Sequence, residues 1–248
     1  MGKLFITLAF IFISATAWPQ VTNALNSSLK NKVLEQLGLK PEEINEELYV
    51  EKVLPYAKTQ TAIVICKNRK SELDKNDDSS FELDAYIIIA NNITGKILYK
   101  YFEESEWISD AIMLTGITID TGIFTLNNET RAFGVQTSYA NGSQPNPHHH
   151  TDLSLFVQSN KTLKKVLNNY TTQTFGGEWD TRCAGEFEDV TSTIIIDRRS
   201  KFKNFNSLII KDKITKIRNT FVNEDCVEKK TFTHRTNKLK YNGMEYTK

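Results

Sequence analysis

Apolar positions recur along this chain with two periods, and the change from one to the other near Thr61 divides it. Leu29, Val33 and Leu37 stand at helical spacing, with Asn26, Ser27 or Ser28 available as the cap and Gly38 just past the end, so a short amphipathic helix is expected there. Pro41-Glu42-Glu43 places a proline at a first helical position and carboxylates in the first turn, where the helix dipole favours them. Ile44 and Leu48 would form the apolar edge of this second short helix. Neither is long enough to stand alone, so both are expected to pack on the domain downstream of them.

Beyond Thr61 the period becomes two. Phe81, Leu83, Ala85, Ile87 and Ile89 alternate with more polar neighbours, and after Asn91-Asn92-Ile93-Thr94-Gly95 the pattern resumes in 96–101, which reads as a hairpin. Further strands are expected at 116–120, 122–126, 131–139, 152–157, 170–175, 191–196 and 207–211. One helix is expected to interrupt them at 162–169, where Leu163, Val166 and Leu167 share a helical face. Near the end, 239–241 and 244–246 flank Asn242-Gly243, the dipeptide best suited to a two-residue hairpin turn. The expected fold is mainly β, with antiparallel sheets in a sandwich- or barrel-like arrangement, short N-terminal helices and one internal helix, α+β by count. Asn92 to Tyr99 resembles a turn in quinoprotein-type propeller blades, but no fixed-period repeat accompanies it.

The first 17 residues follow a different rule. A basic start at Lys3, an apolar run from Leu4 to Ile13 and the small residues Ala15-Thr16-Ala17 give the three-part order of a secretory signal. The run is far shorter than the ~20 residues of a spanning helix. Cleavage is expected after Ala17, with Ala24 as the alternative. This leaves 18–55 as a connector with the short helices and 56–248 as a single β-rich domain. The expected location is periplasmic or secreted, and no later apolar run reaches spanning length.

Charge narrows the partners. The chain carries 31 basic and 30 acidic side chains, so no global field draws it to nucleic acid or an anionic membrane. An envelope or secreted protein, or a glycan, met through local surface features, is the expected partner. Export also bears on the three cysteines. Cys183 and Cys226 sit in loop-like contexts and are expected to pair, whereas Cys66 ends the apolar run 62–65 and packs as a small hydrophobe. The bridge would close a loop of about 43 residues and contribute about 4 kcal/mol in the chain-entropy picture.

Candidate chemistry is sparse. Gly176-Gly177-Glu178-Trp179-Asp180, beside Arg182-Cys183, is the most informative segment, because two carboxylates flank a large aromatic in a loop that the disulfide would hold. Glu178 or Asp180 could serve an envelope-polymer hydrolase, or together with Trp179 and Trp107 meet a partner. Carboxylates two apart on a strand point the same way, and Trp179 as a core aromatic, with Glu178 and Asp180 paired to Arg182 or another base, is the simpler reading. Asp110 and Asp120 are weaker candidates. His148-His149-His150, followed by Asp152, invites a metal, yet consecutive side chains do not converge on one ion and a fourth ligand such as His234 would come from elsewhere. A solvated loop accounts for the triplet more simply. Asp74 to Asp78 starts like a calcium loop, but Ser79 replaces the turn glycine and Ala85 the bidentate glutamate, so no metal site is assigned. No hydrolase, transferase or cofactor template is filled, and no cofactor is expected. Asn-x-Ser/Thr triplets at Asn26, Asn92, Asn128, Asn141, Asn160 and Asn169 would carry glycans only in a eukaryotic secretory pathway.

The stretches from Trp107 to Val135, Gly176 to Gly185 and Tyr241 to Tyr246 resemble uncharacterised exported proteins of Gram-negative bacteria that carry no family name. That resemblance implies the compartment and no activity. A non-catalytic binding module with an inhibitor or immunity-type role is the leading expectation, ahead of the hydrolase and then of a metal-binding protein.

Overall fold

The computed structural model of the chain describes residues 20–69 and 80–248. The expected signal at 1–17 and the calcium-like segment Asp74 to Asp78 lie outside the described residues. The protein is mainly β. An α-helix, α1 (Gln20–Leu37), and a 3-10 turn (Pro41–Glu43) precede β1 (Val50–Leu54), β2 (Ala57–Arg69), β3 (Phe81–Asn91), β4 (Ile97–Ser109), β5 (Met113–Thr125) and β6 (Arg131–Ala140). Next come β7 (His148–Ser159), β8 (Thr162–Trp179), β9 (Gly185–Phe202), β10 (Phe205–Val222), β11 (Asp225–Tyr241) and β12 (Tyr246–Thr247). All belong to one continuous sheet, so neither separate sandwich sheets nor propeller blades form. Every pairing is antiparallel except one bridge, Lys100 with Thr162, where β4 meets β8.

Strands β1 to β4 and β8 to β5 curl around a first core that includes Val64, Ile87, Trp107, Val135 and Phe156. β5 comes back against β1, where Lys52 Nζ donates to the Ile119 carbonyl at 3.0 Å, but no ladder joins the two and the sheet is not closed into a barrel. The outer face of β2 and β3, with Ile63, Ile65 and Ile88, is covered by Leu29, Val33 and Leu34 of α1. Burial on both faces explains the unbroken apolar runs in these strands. α1 begins at Gln20, so Asn26, Ser27 and Ser28 lie inside the helix instead of capping it. It is registered by Gln36, which donates to the Gly95 carbonyl at 2.7 Å and accepts the Ile97 N–H at 3.0 Å. A Cβ at Gly95 would sit 2.6 Å from Lys32, so glycine permits this docking as well as the positive φ of the turn.

A second core lies on the other face of β7, where Leu153, Leu155 and Val157 meet Leu208, Ile210 and Leu239 of β10 and β11. The expected helix at 162–169 is instead the first half of β8. Phe156 pairs with Lys165 and Leu155 with Leu167, leaving Val166 as an extra residue. That bulge sends Leu163 to the first core and both Val166 and Leu167 to the second, and it thereby imitates helical spacing in a strand. Two expected strands, 116–120 and 122–126, are one strand, β5, irregular around Gly122. The closing turn is also longer than two residues. Tyr241 pairs with Tyr246, so 242–245 form the connection, and Asn242 Oδ1 accepts the N–H groups of Met244 and Glu245 at 2.8 and 2.9 Å.

Strands β9 to β11 run past the second core for the rest of their length, and of β11 only its end, 239–241, was expected. Residues 219–236 of this β10–β11 hairpin are exposed apart from a partly covered Asn219, so the pattern of alternation is lost there. Asn223 and Glu224, with φ of 49° and 68°, make the two-residue turn that joins them. Among the described residues no helix is long and apolar enough to cross a membrane.

Candidate functional site

The Cys183–Cys226 bridge forms as expected, with Cα atoms 5.6 Å apart, and ties the β8–β9 loop to the far end of the β10–β11 hairpin. Cys66 is buried, and that burial pushes its thiol well above the ordinary range. Trp179 fixes the neighbouring loop by donating its backbone N–H to the Pro145 carbonyl at 3.0 Å and its indole N–H to that of Gln144. Asp180 is committed to the turn. Its Oδ1 accepts the N–H groups of Arg182 at 2.9 Å and Cys183 at 2.7 Å, and these bonds hold its carboxyl below the usual range. Glu178 lies on the opposite face from Trp179 and pairs in register with Glu186, which is held by Arg218. The two carboxylates therefore do not converge, and neither meets Arg182 side chain to side chain.

What gathers around Trp179 is aromatic. Register places His149, Phe175, Trp179, Phe187, Ile217 and Phe232 on one face of β7 to β11. His149 stacks on Phe175 with centroids 5.0 Å apart, Phe175 on Phe187 at 5.7 Å, and Trp179 tilts toward Phe187 at 6.4 Å. A Cβ at Gly177 would lie 2.5 Å from the Phe187 ring, so this close approach requires glycine. The row borders a cleft of about 470 Å³ lined by Gln144, Pro147, Trp179, Thr181, Phe187 and Asn219. Phe232 is 57% exposed and Phe221, beside Cys226, 66%. The reverse face is charged, with Glu186 on Arg218 and Glu188 within 3.9 Å of Lys216. Sequence reasoning found Trp179 and the disulfide but not Phe175, Phe187 or Phe232; the weak clue was an aromatic at every fourth position, 175, 179, 183 excepted, resuming at 187.

The histidines divide as strand geometry requires. His148 and His150 share one face, with Nε2 and Nδ1 3.3 Å apart, and His150 stacks on Tyr139 at 4.9 Å, while His149 joins the aromatic row. His234 lies four strands away, about 19 Å at ordinary strand spacing. Among the described residues no group of three or more His, Cys, Asp or Glu is placed to hold a metal.

Trp107 is only 3% exposed and belongs to the first core, so it is not a surface contact. Beside it stands an arrangement that the sequence did not disclose. Past the single β4–β8 bridge the two strands separate, and Lys165 spans the seam to Glu106 at 2.7 Å and to Glu103 at 2.5 Å. The Lys165 and Glu106 side chains are 8% and 7% exposed. Burial and a hydrogen bond shared with Glu103 push Glu106 up to about 7. Burial acts on Glu103 in the same sense, but hydrogen bonds with Glu106, Lys165 and Tyr101 outweigh it and lower its carboxyl. Behind the seam is a void of about 10 Å³, room for about one water. A carboxylic acid beside a carboxylate has the makings of an acid–base pair, but this one faces no space for a substrate. Asp110 caps the turn after β4 through the Ile112 N–H, and Asp120 accepts the Gly122 N–H and the Gln136 amide. No family model, curated protein or solved structure matches this chain.

Proposed function

We propose that this chain is an exported, non-catalytic binding module that presents the disulfide-tied end of β8 to β11 to a protein or glycan partner in the envelope or outside the cell. An inhibitor or immunity-type role suits such a module. The observation that carries the reading is the aromatic row on an open sheet face, with its loop pinned by Trp179 and by the Cys183–Cys226 bridge. Rigid aromatic side chains supply contact area at low entropic penalty, and a fixed loop reduces what must be ordered on binding. Export is supported by the order of residues 1–17 and by a disulfide compatible with an oxidising compartment.

The hydrolase reading draws little from the geometry, since Asp180 serves as a turn acceptor and Glu178 faces away from the aromatic cleft. Capture from the protein's own envelope fraction separates the two. A stoichiometric partner should be retained by Glu178→Gln/Asp180→Asn protein and lost, by about tenfold or more in affinity, from Phe187→Ser/Phe232→Ser protein. A partner indifferent to the aromatic pair, or cleavage of an envelope polymer that stops in the carboxylate variant, would overturn the proposal.

A further inference from the structure

A cleft of about 510 Å³ lies well away from the aromatic row, between the β1–β2 turn, the start of β6 and the β7–β8 turn. It has the volume of a small-ligand site, but its lining is polar: Gln60, Thr130, Arg131, Gln158, Asn160 and Lys161 gather around the rings of Tyr56 and Tyr99. Arg131 is the unusual member. Its guanidinium lies 4.2 Å above the centre of the Tyr56 ring, and Nη2 donates to the carbonyls of Thr121 and Gly122 at 3.2 and 3.3 Å. Its Nε is buried and meets no acceptor among the described residues. No carboxylate among the described residues lies within ion-pairing distance of it, whereas Arg69, Arg218 and Arg235 each have at least one. A partly buried cation without a counter-charge is a costly feature to keep.

The rest of the cleft adds to the same charge. Lys161 stands at the tip of the β7–β8 turn, where φ of 44° at Asn160 and 67° at Lys161 fix a tight two-residue connection. It has no ion pair among the described residues, and Glu129 is the one acidic side chain in the lining. Gln158 donates to Gln60 at 3.3 Å, which leaves the Gln158 carbonyl and the Gln60 amide N–H groups available. Amides that donate and accept suit hydroxyl groups, tyrosine rings suit the C–H face of a sugar, and the two cationic side chains, Arg131 and Lys161, suit a carboxylate or phosphate.

We propose that this cleft binds an acidic sugar, with Arg131 and Lys161 on its anionic group and Gln60, Gln158 and Asn160 on its hydroxyls. It is independent of the aromatic face and of the binding function proposed for that face. Calorimetric titration of the full mature protein with glucuronic acid, glucose 6-phosphate, glucose and inorganic phosphate tests it, with folding checked by circular dichroism. At least one acidic sugar should bind with a Kd of about 1 mM or tighter, at least about fivefold tighter than glucose or inorganic phosphate. The two acidic sugars report whether the anion is a carboxylate or a phosphate. Arg131→Gln should weaken binding about tenfold, and Lys161→Gln, on an exposed turn that tolerates the change, about threefold. No saturation by either acidic sugar at about 10 mM, equal binding of glucose or phosphate, or full affinity in Lys161→Gln protein would overturn the proposal.

Discussion

Single residues decide how the two halves of the sheet are joined. Where β4 and β8 separate, Lys165 with Glu103 and Glu106 takes the place of ladder hydrogen bonds, and Asn169 adds an amide contact to Glu106. Ser105 and Asn169, with positive φ of 48° and 40°, lie beside this seam in β4 and β8. Glu106 titrates near 7 in the fold against an ordinary 4.5, so the native state holds its proton more tightly than the unfolded chain. Its contribution is complete below about 4.5 and is lost as pH rises through about 7. Glu103 is shifted down and acts the other way, with stability lost as pH falls below its ordinary range. Thermal melts across pH about 5 to 8 should therefore show Glu106→Gln protein gaining on wild type as pH rises. Parallel curves over that window would contradict the assignment. None of this was legible in the sequence, because Glu103 and Glu106 meet Lys165 across 59 or more positions and only through a gap between strands.

At the scale of elements, legibility followed burial. β3 was plain because α1 and the first core cover both its faces, and β6 and β7 because 132–135 and 153–157 are continuous buried runs between the two cores. Only the end of β11 was expected, because hydrophobic periodicity records a core, and from Cys226 to Thr236 this strand has none beside it. The helix expected at 162–169 failed for the opposite reason: a bulge at Val166 gave two cores one apolar residue too many. The pairing of Cys183 with Cys226 was legible from context, but its consequence was not. The bridge anchors the end of a hairpin whose faces are both open, a segment with few buried contacts of its own to keep it ordered. In Cys226→Ser protein, amide exchange should quicken in 180–184 and 219–230 and stay unchanged in β2 and β3. Protection retained at the hairpin end would mean that strand pairing alone holds it.

The whole molecule is organised around β7. Leu155 faces the second core and Phe156 the first, both almost fully buried. With one strand shared, the two cores should unfold together, which is how a single domain over 56–248 would behave. Leu155→Ala and Phe156→Ala should each lose about 3 to 5 kcal/mol and retain one cooperative thermal transition. Two separable transitions in either variant would divide the domain. Beyond these cores the sheet continues as a single layer, aromatic on one face and charged on the other, and the binding function is assigned to that extension. Amide exchange of the oxidised protein with and without its captured partner tests the assignment most directly. The account predicts new protection concentrated in 173–187 and 213–232, around Phe175, Trp179, Phe187 and Phe232. Protection confined to β1 to β6, with this extension unchanged, would contradict it.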